Sequence, residues 1–109
     1  MKALLLILAL LLPVQVWADG PFTLQNAATA TGAGTAVTTG TFRDKTIDVQ
    51  ITSTATVQVQ GTVDRSNWVT IASLTASGAV STNDAWAQMR ANISVCTGCT
   101  VTAKAFLTH

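Results

Sequence analysis

Along residues 46–63 apolar side chains recur at every second position. Ile47, Val49 and Ile51 alternate with Asp48, Gln50 and Thr52, and further on Val57 and Val59 alternate with Gln58 and Gln60. A period of two sends one set to one face of a pleated strand and the other set to the opposite face. The pattern predicts strands with one buried and one wet face, and it does not suit an amphipathic helix. Residues 46–53 read as one strand. Residues 55–63 read as a second, with Val57, Val59 and finally Val63 inward, and Thr54 is the expected hairpin turn between them.

The composition beyond residue 18 agrees. It includes all 19 Thr of the chain, and Val and Ile together outnumber Leu by 13 to 3. Beta-branched side chains are stiff at χ1 and fit a pleated surface better than a helix. The chain has no Glu and no Tyr. Asp64-Arg65-Ser66-Asn67 reads as a polar turn leading into a third strand at residues 68–74. Residues 76–78 and 81–84 read as loops. A fourth strand is expected at residues 86–95, with Ala87, Met89, Ala91, Ile93 and Val95 on one face. A last strand, at residues 100–107, is expected to turn back at Thr97-Gly98. Short strands with frequent turns predict an all-β fold: a single antiparallel β-sandwich or jelly-roll-like domain.

Residues 1–18 are of another kind. They carry one charge, Lys2, and seven Leu. The apolar run over residues 3–12, followed by Pro13 and the ending Val16-Trp17-Ala18, has the layout of a secretory signal peptide cleaved after Ala18. The run is well short of the roughly 20 residues that a membrane span needs, so no span is expected in the mature form. Export would take the chain to the periplasm, the extracellular space or the cell surface. The mature chain has 38 apolar residues, of which 14 are Ala. A core this thin is marginal unless a disulfide, a metal or a partner adds to it. Residues 42–109 are expected to form the sandwich. Residues 19–41, rich in Thr, Ala and Gly, form either an edge strand with a long loop or an extended arm. Such an arm, anchored by Phe22, Leu24, Val37 and Phe42, would pair with a neighbour's sheet edge.

The charges restrict the partners. Beyond residue 18 there are five basic and five acidic groups, and every acid is Asp. A neutral chain has no electrostatic footprint for nucleic acid. Cys96-Thr97-Gly98-Cys99 is the most specific local motif. No His follows it, so haem attachment is excluded. Two Cys and His109 fall short of a zinc site, and a hairpin is not the helix start that activates a redox thiol. A structural disulfide between Cys96 and Cys99, formed after export, is expected. Asp64 and Asp84 neighbour turn residues and read as turn caps rather than a glycosidase pair. Asn92-Ile93-Ser94 fits an outward Asn on a strand better than a glycan acceptor. Trp68 and Trp86 are either core aromatics closing the end of a sandwich or a stacking platform for sugar rings. With Gln88 and Arg90 they define a candidate ligand or partner face.

Two stretches carry a family resemblance. The run VQVQGTVDRSNWV at residues 57–69 is strand, Asp/Ser/Asn turn and Trp-led strand. WAQMRANI at residues 86–93 precedes a Gly-containing turn and TVTA at residues 100–103. Residues 47–107 thereby resemble small β-sandwich domains of phage virion proteins and of some secreted bacterial proteins. The resemblance implies an assembly or recognition module rather than an enzyme. The signal peptide and the CTGC motif depart from the virion pattern and favour a secreted relative. The expectation is a non-enzymatic secreted subunit of an extracellular or cell-surface assembly, without cofactor or metal. It would associate with itself or with other surface proteins, and could form a filament by β-strand addition. The alternative is a small carbohydrate-binding module using Trp68 and Trp86. A small extracytoplasmic hydrolase ranks third.

Overall fold

A computed structural model describes residues 18–108. The expected leader therefore lies outside the described residues except for Ala18, and so does His109. Among the described residues all regular structure is strand: β1 (Ala18–Ala28), β2 (Val37–Thr38), β3 (Asp44–Thr62), β4 (Val69–Leu74), β5 (Gly78–Thr82) and β6 (Gln88–Thr108). All pairings are antiparallel, in the order β1-β6-β3-β4, with β2 added to β6 and β5 added to β3.

The architecture follows from two long strands that are bent double. β3 has 19 residues and β6 has 21, so each would extend about 60–70 Å if straight. Their ends are tied by short connections. β5 pairs Thr82 with Lys45 at the start of β3, and β6 pairs Gln88 with Thr62 at its end. Residues 83–87 must bridge the two, a reach of about 20 Å at most. Along the way Lys45 Nζ donates to the Asp84 carbonyl at 2.7 Å, and Ala87 N donates to the Thr62 carbonyl at 2.8 Å. For β6, Thr38 pairs with Gln88, while Arg43 N, five residues on, donates to the Thr108 carbonyl at 3.0 Å. The sheet therefore folds over on itself. One layer is β1, the second half of β6, the first half of β3 and β5. The other is β2, the first half of β6, the second half of β3 and β4.

The crease is local and visible in the register. Ser53 has φ 69° and Gly98 has φ 61°. Thr52 pairs with Thr100 and Thr54 with Thr97, and the register slips again between Thr56 and Val57. Between the pairs Val57–Ile93 and Thr52–Thr100, β6 has two residues more than β3. Extra residues in one strand bend it and increase its twist.

This corrects two expectations. Residues 46–53 and 55–63 are one strand rather than a hairpin, and so are residues 86–95 and 100–107 apart from a later start at Gln88. In each case the chain turns a corner and keeps the same partner. Cys96 and Cys99 stand at disulfide distance, Cα–Cα 5.3 Å. They clip the corner of β6, not a hairpin. Two further expectations change. Residues 78–82, read partly as loop, form β5. Val63 lies beyond the end of β3 and is 70% exposed.

The in–out alternation holds on both sides of each corner and lapses within it: Val95, expected inward with Met89, Ala91 and Ile93, is 46% exposed where β6 bends. Ile47, Val49, Ala55, Val57 and Val59 of β3 are buried with Met89, Ala91, Ile93, Val101, Ala103, Ala105 and Leu107 of β6. Small and β-branched side chains suffice because the two layers share one core. The Thr/Ala/Gly-rich segment packs on this same core. Leu24 is buried, and Gln25 donates its side-chain amide across the layers to the Ala91 carbonyl at 2.7 Å and to the Gly32 carbonyl at 3.1 Å. Gly34, at φ 68°, lies so close that a Cβ there would strike Gln25 and the Leu24 carbonyl. Glycine is required at that crossing because only backbone fits.

Candidate functional site

The second layer presents a built polar surface on its outer face. The even residues of β3 face away from the core, and so do their β6 partners: Gln58 pairs with Asn92 and Gln60 with Arg90. Asn92 Nδ2 donates to Gln58 Oε1 at 2.9 Å, and Arg90 Nε donates to Gln60 Oε1 at 2.8 Å. Gln60 Nε2 continues the row to the Thr70 hydroxyl of β4 at 3.2 Å. The Arg90 guanidinium carbon stands 4.1 Å from the centroid of the Trp68 ring. Trp68 is half-buried under this cation, an arrangement favoured by the negative face of the indole.

Trp68 reaches this position through the turn before β4. The Asp64 carboxylate accepts from Ser66 N at 2.9 Å, from Asn67 N at 2.8 Å, from Asn67 Nδ2 at 2.7 Å and from the Thr62 hydroxyl at 3.2 Å. These donors, the backbone of Asn67 and Ser66 first, hold its carboxyl well below the usual carboxylate range. Arg65 takes φ 67° within the same turn. Asp64 is thus a turn cap, as its neighbours imply.

Trp86 does not join this face. Its ring lies on the inner side of β3 over Gly61, where a Cβ would come 2.5 Å from the indole. Its Nε1 is buried and has no hydrogen-bond partner among the described residues. Gly61 belongs to the inward set and Gln60 to the outward set, so the two indoles lie on opposite sides of β3. They cannot form one stacking platform. Gln88, also expected on the face, is half-buried at the start of β6, opposite Thr62 and Thr38. Sequence reasoning placed Asn92 on the Arg90 face, where it stands, and missed Gln58, Gln60 and Thr70 as members of the site. Their outward phase was legible, but their register across β3, β4 and β6 was not.

The other candidate residues lie elsewhere. Phe22, Leu24, Val37 and Phe42 all sit against their own chain. Leu24 is buried, Val37 pairs with Met89, Phe42 is half-buried against the core, and Phe22 is 37% exposed. Lys45, at 1% exposure, spends its ammonium on the carbonyls of Asp84 and Arg43. Burial pulls its pKa down, against the opposing pull of Asp44 and Asp84. Among the described residues no three His, Cys, Asp or Glu side chains converge to hold a metal, and no helix is long and apolar enough to cross a membrane.

Two solved structures share this fold. The SPBc2 prophage-derived protein YomS matches with a TM-score of 0.74 and 17% identity, over 84% of this chain and 95% of its own. The PBSX exported protein XepA matches with a TM-score of 0.73 and 16% identity over 84% of this chain, which spans 38% of the XepA chain. No family model matches the chain, and no curated protein sequence does. The likeness is one of fold.

Proposed function

We propose that the chain is a non-enzymatic, secreted structural or interaction subunit that assembles with copies of itself through strand exchange at the β1 edge. The observation that supports this is the way β1 lies on its sheet. It occupies an edge, and its register against β6 slips three times within 11 residues. The β3–β6 ladder slips only twice over almost its whole length. An edge strand held by an interrupted ladder loses little when the same strand of a neighbour replaces it. Its own chain covers that edge at Leu24, whose carbonyl accepts from Thr35 N at 3.0 Å, and the rest of the edge is where a neighbour's strand would add. Phe22, partly exposed beside the first slip, is the side chain best placed to enter a neighbour.

Sedimentation of the purified protein over a wide concentration range tests this reading. Mass should grow with concentration, and Phe22→Asp should suppress the growth. A single monomeric species at the highest concentrations would remove the proposal.

A further inference from the structure

We infer that the outer face of the second layer binds the carboxylate of an acidic saccharide, with Arg90 as the ligating group. This goes beyond the assembly reading and does not rest on it, because β1 belongs to the other layer.

The guanidinium is fixed at two points. Gln60 Oε1 holds its Nε at 2.8 Å, and the Trp68 ring lies beneath it at 4.1 Å. Of the five N–H donors of an arginine, only Nε is engaged. Both terminal nitrogens lack an acceptor, and no carboxylate pairs with Arg90 among the described residues. A planar fork held this way has already lost the side-chain freedom that binding would otherwise cost. Its free edge matches a carboxylate through two parallel hydrogen bonds.

The surroundings select the kind of carboxylate. Gln60 itself is buried, and it fixes Arg90 while its own amide is held by Thr70. Gln58 Oε1 is taken by Asn92 and, at 3.5 Å, by Gln60. Gln58 Nε2, Asn92 Oδ1 and the Thr70 hydroxyl proton remain unspent. Alternating amide donors and acceptors beside a cation suit a ligand bearing hydroxyls next to its carboxylate, as in a uronic acid. A protein partner would rest on large apolar anchors at the centre of its interface; here the one aromatic, Trp68, is covered by Arg90, and the side chains beside the pair, Gln58, Gln60, Asn92 and Thr70, are amides and a hydroxyl. Trp68 supports the cation here and is not itself a sugar platform, because Arg90 covers its ring.

The test is titration of the purified protein with galacturonate trimer, followed by the NMR signals of Arg90 Nε–H and the Trp68 indole N–H. Galactose trimer and an Asp/Glu hexapeptide serve as comparators. The acidic trimer should shift both signals and bind at least about tenfold more tightly than the neutral one. Arg90→Gln should abolish the difference. Arg90→Lys, which keeps the charge without the fork, should retain only part of it. Lys104→Gln, which removes a charge from the other layer, should leave binding unchanged and so controls for net charge. Three results would overturn the inference: no response to the acidic trimer, equal binding of the neutral trimer, or equal affinity in folded Arg90→Gln. Response to the peptide but not to the saccharide would overturn the choice of ligand.

Discussion

Trp86 and Trp68 each stand just before a strand of the second layer, yet they end on opposite sides of β3. Trp86 lies on Gly61, on the side of the shared core. Trp68 lies under Arg90, on the side of the solvent. For Trp86 the partner is an absence, since the missing Cβ of Gly61 leaves room for a ring. For Trp68 the partner is a charge held in place by an amide. The first arrangement closes the end of the sandwich, and the second prepares a surface. Identical side chains thus pack on a core in one place and under a surface cation in the other, according to the phase of the strand beneath them.

That contrast is open to attack from both sides. The largest effect is expected from Trp86→Ala, which should cost about 3 kcal/mol, near the low end for aromatic truncation because the ring is only half-buried. A fall in the urea midpoint at unchanged slope would register it. Next comes Gly61→Ala. The added methyl meets the indole and should cost about 1–3 kcal/mol as overpacking. A neutral result in the same unfolding experiment would mean that the ring is free to move aside and is not a fixed part of the core.

Trp68→Ala should cost less, about 1–2 kcal/mol, between the exposed and the desolvated worth of a cation–π pair because the ring is half-buried. If Trp68→Ala proved as damaging as Trp86→Ala in calorimetry, the division between packing and surface roles would fail. The smallest effect belongs to Asp64→Asn, and it depends on pH. The folded carboxyl titrates below its unfolded value of about 3.9, so its contribution is complete above about pH 4 and fades as the pH falls below that value. The urea midpoint of the wild-type protein should fall as the pH is lowered from about 4. Asp64→Asn should remove this dependence.

The legibility of the fold varied from element to element. The inward set of β3 was visible in Ile47, Val49, Val57 and Val59, because a period of two is a local property. The corner at Ser53 was not. A break in a strand looks the same whether the chain reverses to pair with itself or bends and keeps an outside partner. Only the β6 ladder distinguishes the two cases, and its residues lie some 40 positions away. Cys96-Thr97-Gly98-Cys99 misled in the same manner. Its turn chemistry was read correctly and its cysteines stand at disulfide distance, but its place in the topology was misread. The glycines of residues 32–34 read as part of a long loop or an arm, but Gly34 packs so closely on Gln25 and the Leu24 carbonyl that no side chain fits. At the candidate site, Trp68 and Arg90 were visible as residue types. Gln60, which joins them, required the register.

The sequence by itself determined the β character, the inward sets Ile47, Val49, Val57 and Val59 of β3 and Met89, Ala91 and Ile93 of β6, the turn cap at Asp64 and the closeness of the two cysteines. Each depends on side-chain stiffness, alternation or spacing over a few residues. The tertiary structure alone decided that two long strands fold over to make both layers, that β1 closes an edge of its own sheet, and that Trp68 and Trp86 part company. Those outcomes rest on hydrogen-bond register between distant segments. A shift of one residue there exchanges inside for outside, and no local pattern encodes that shift.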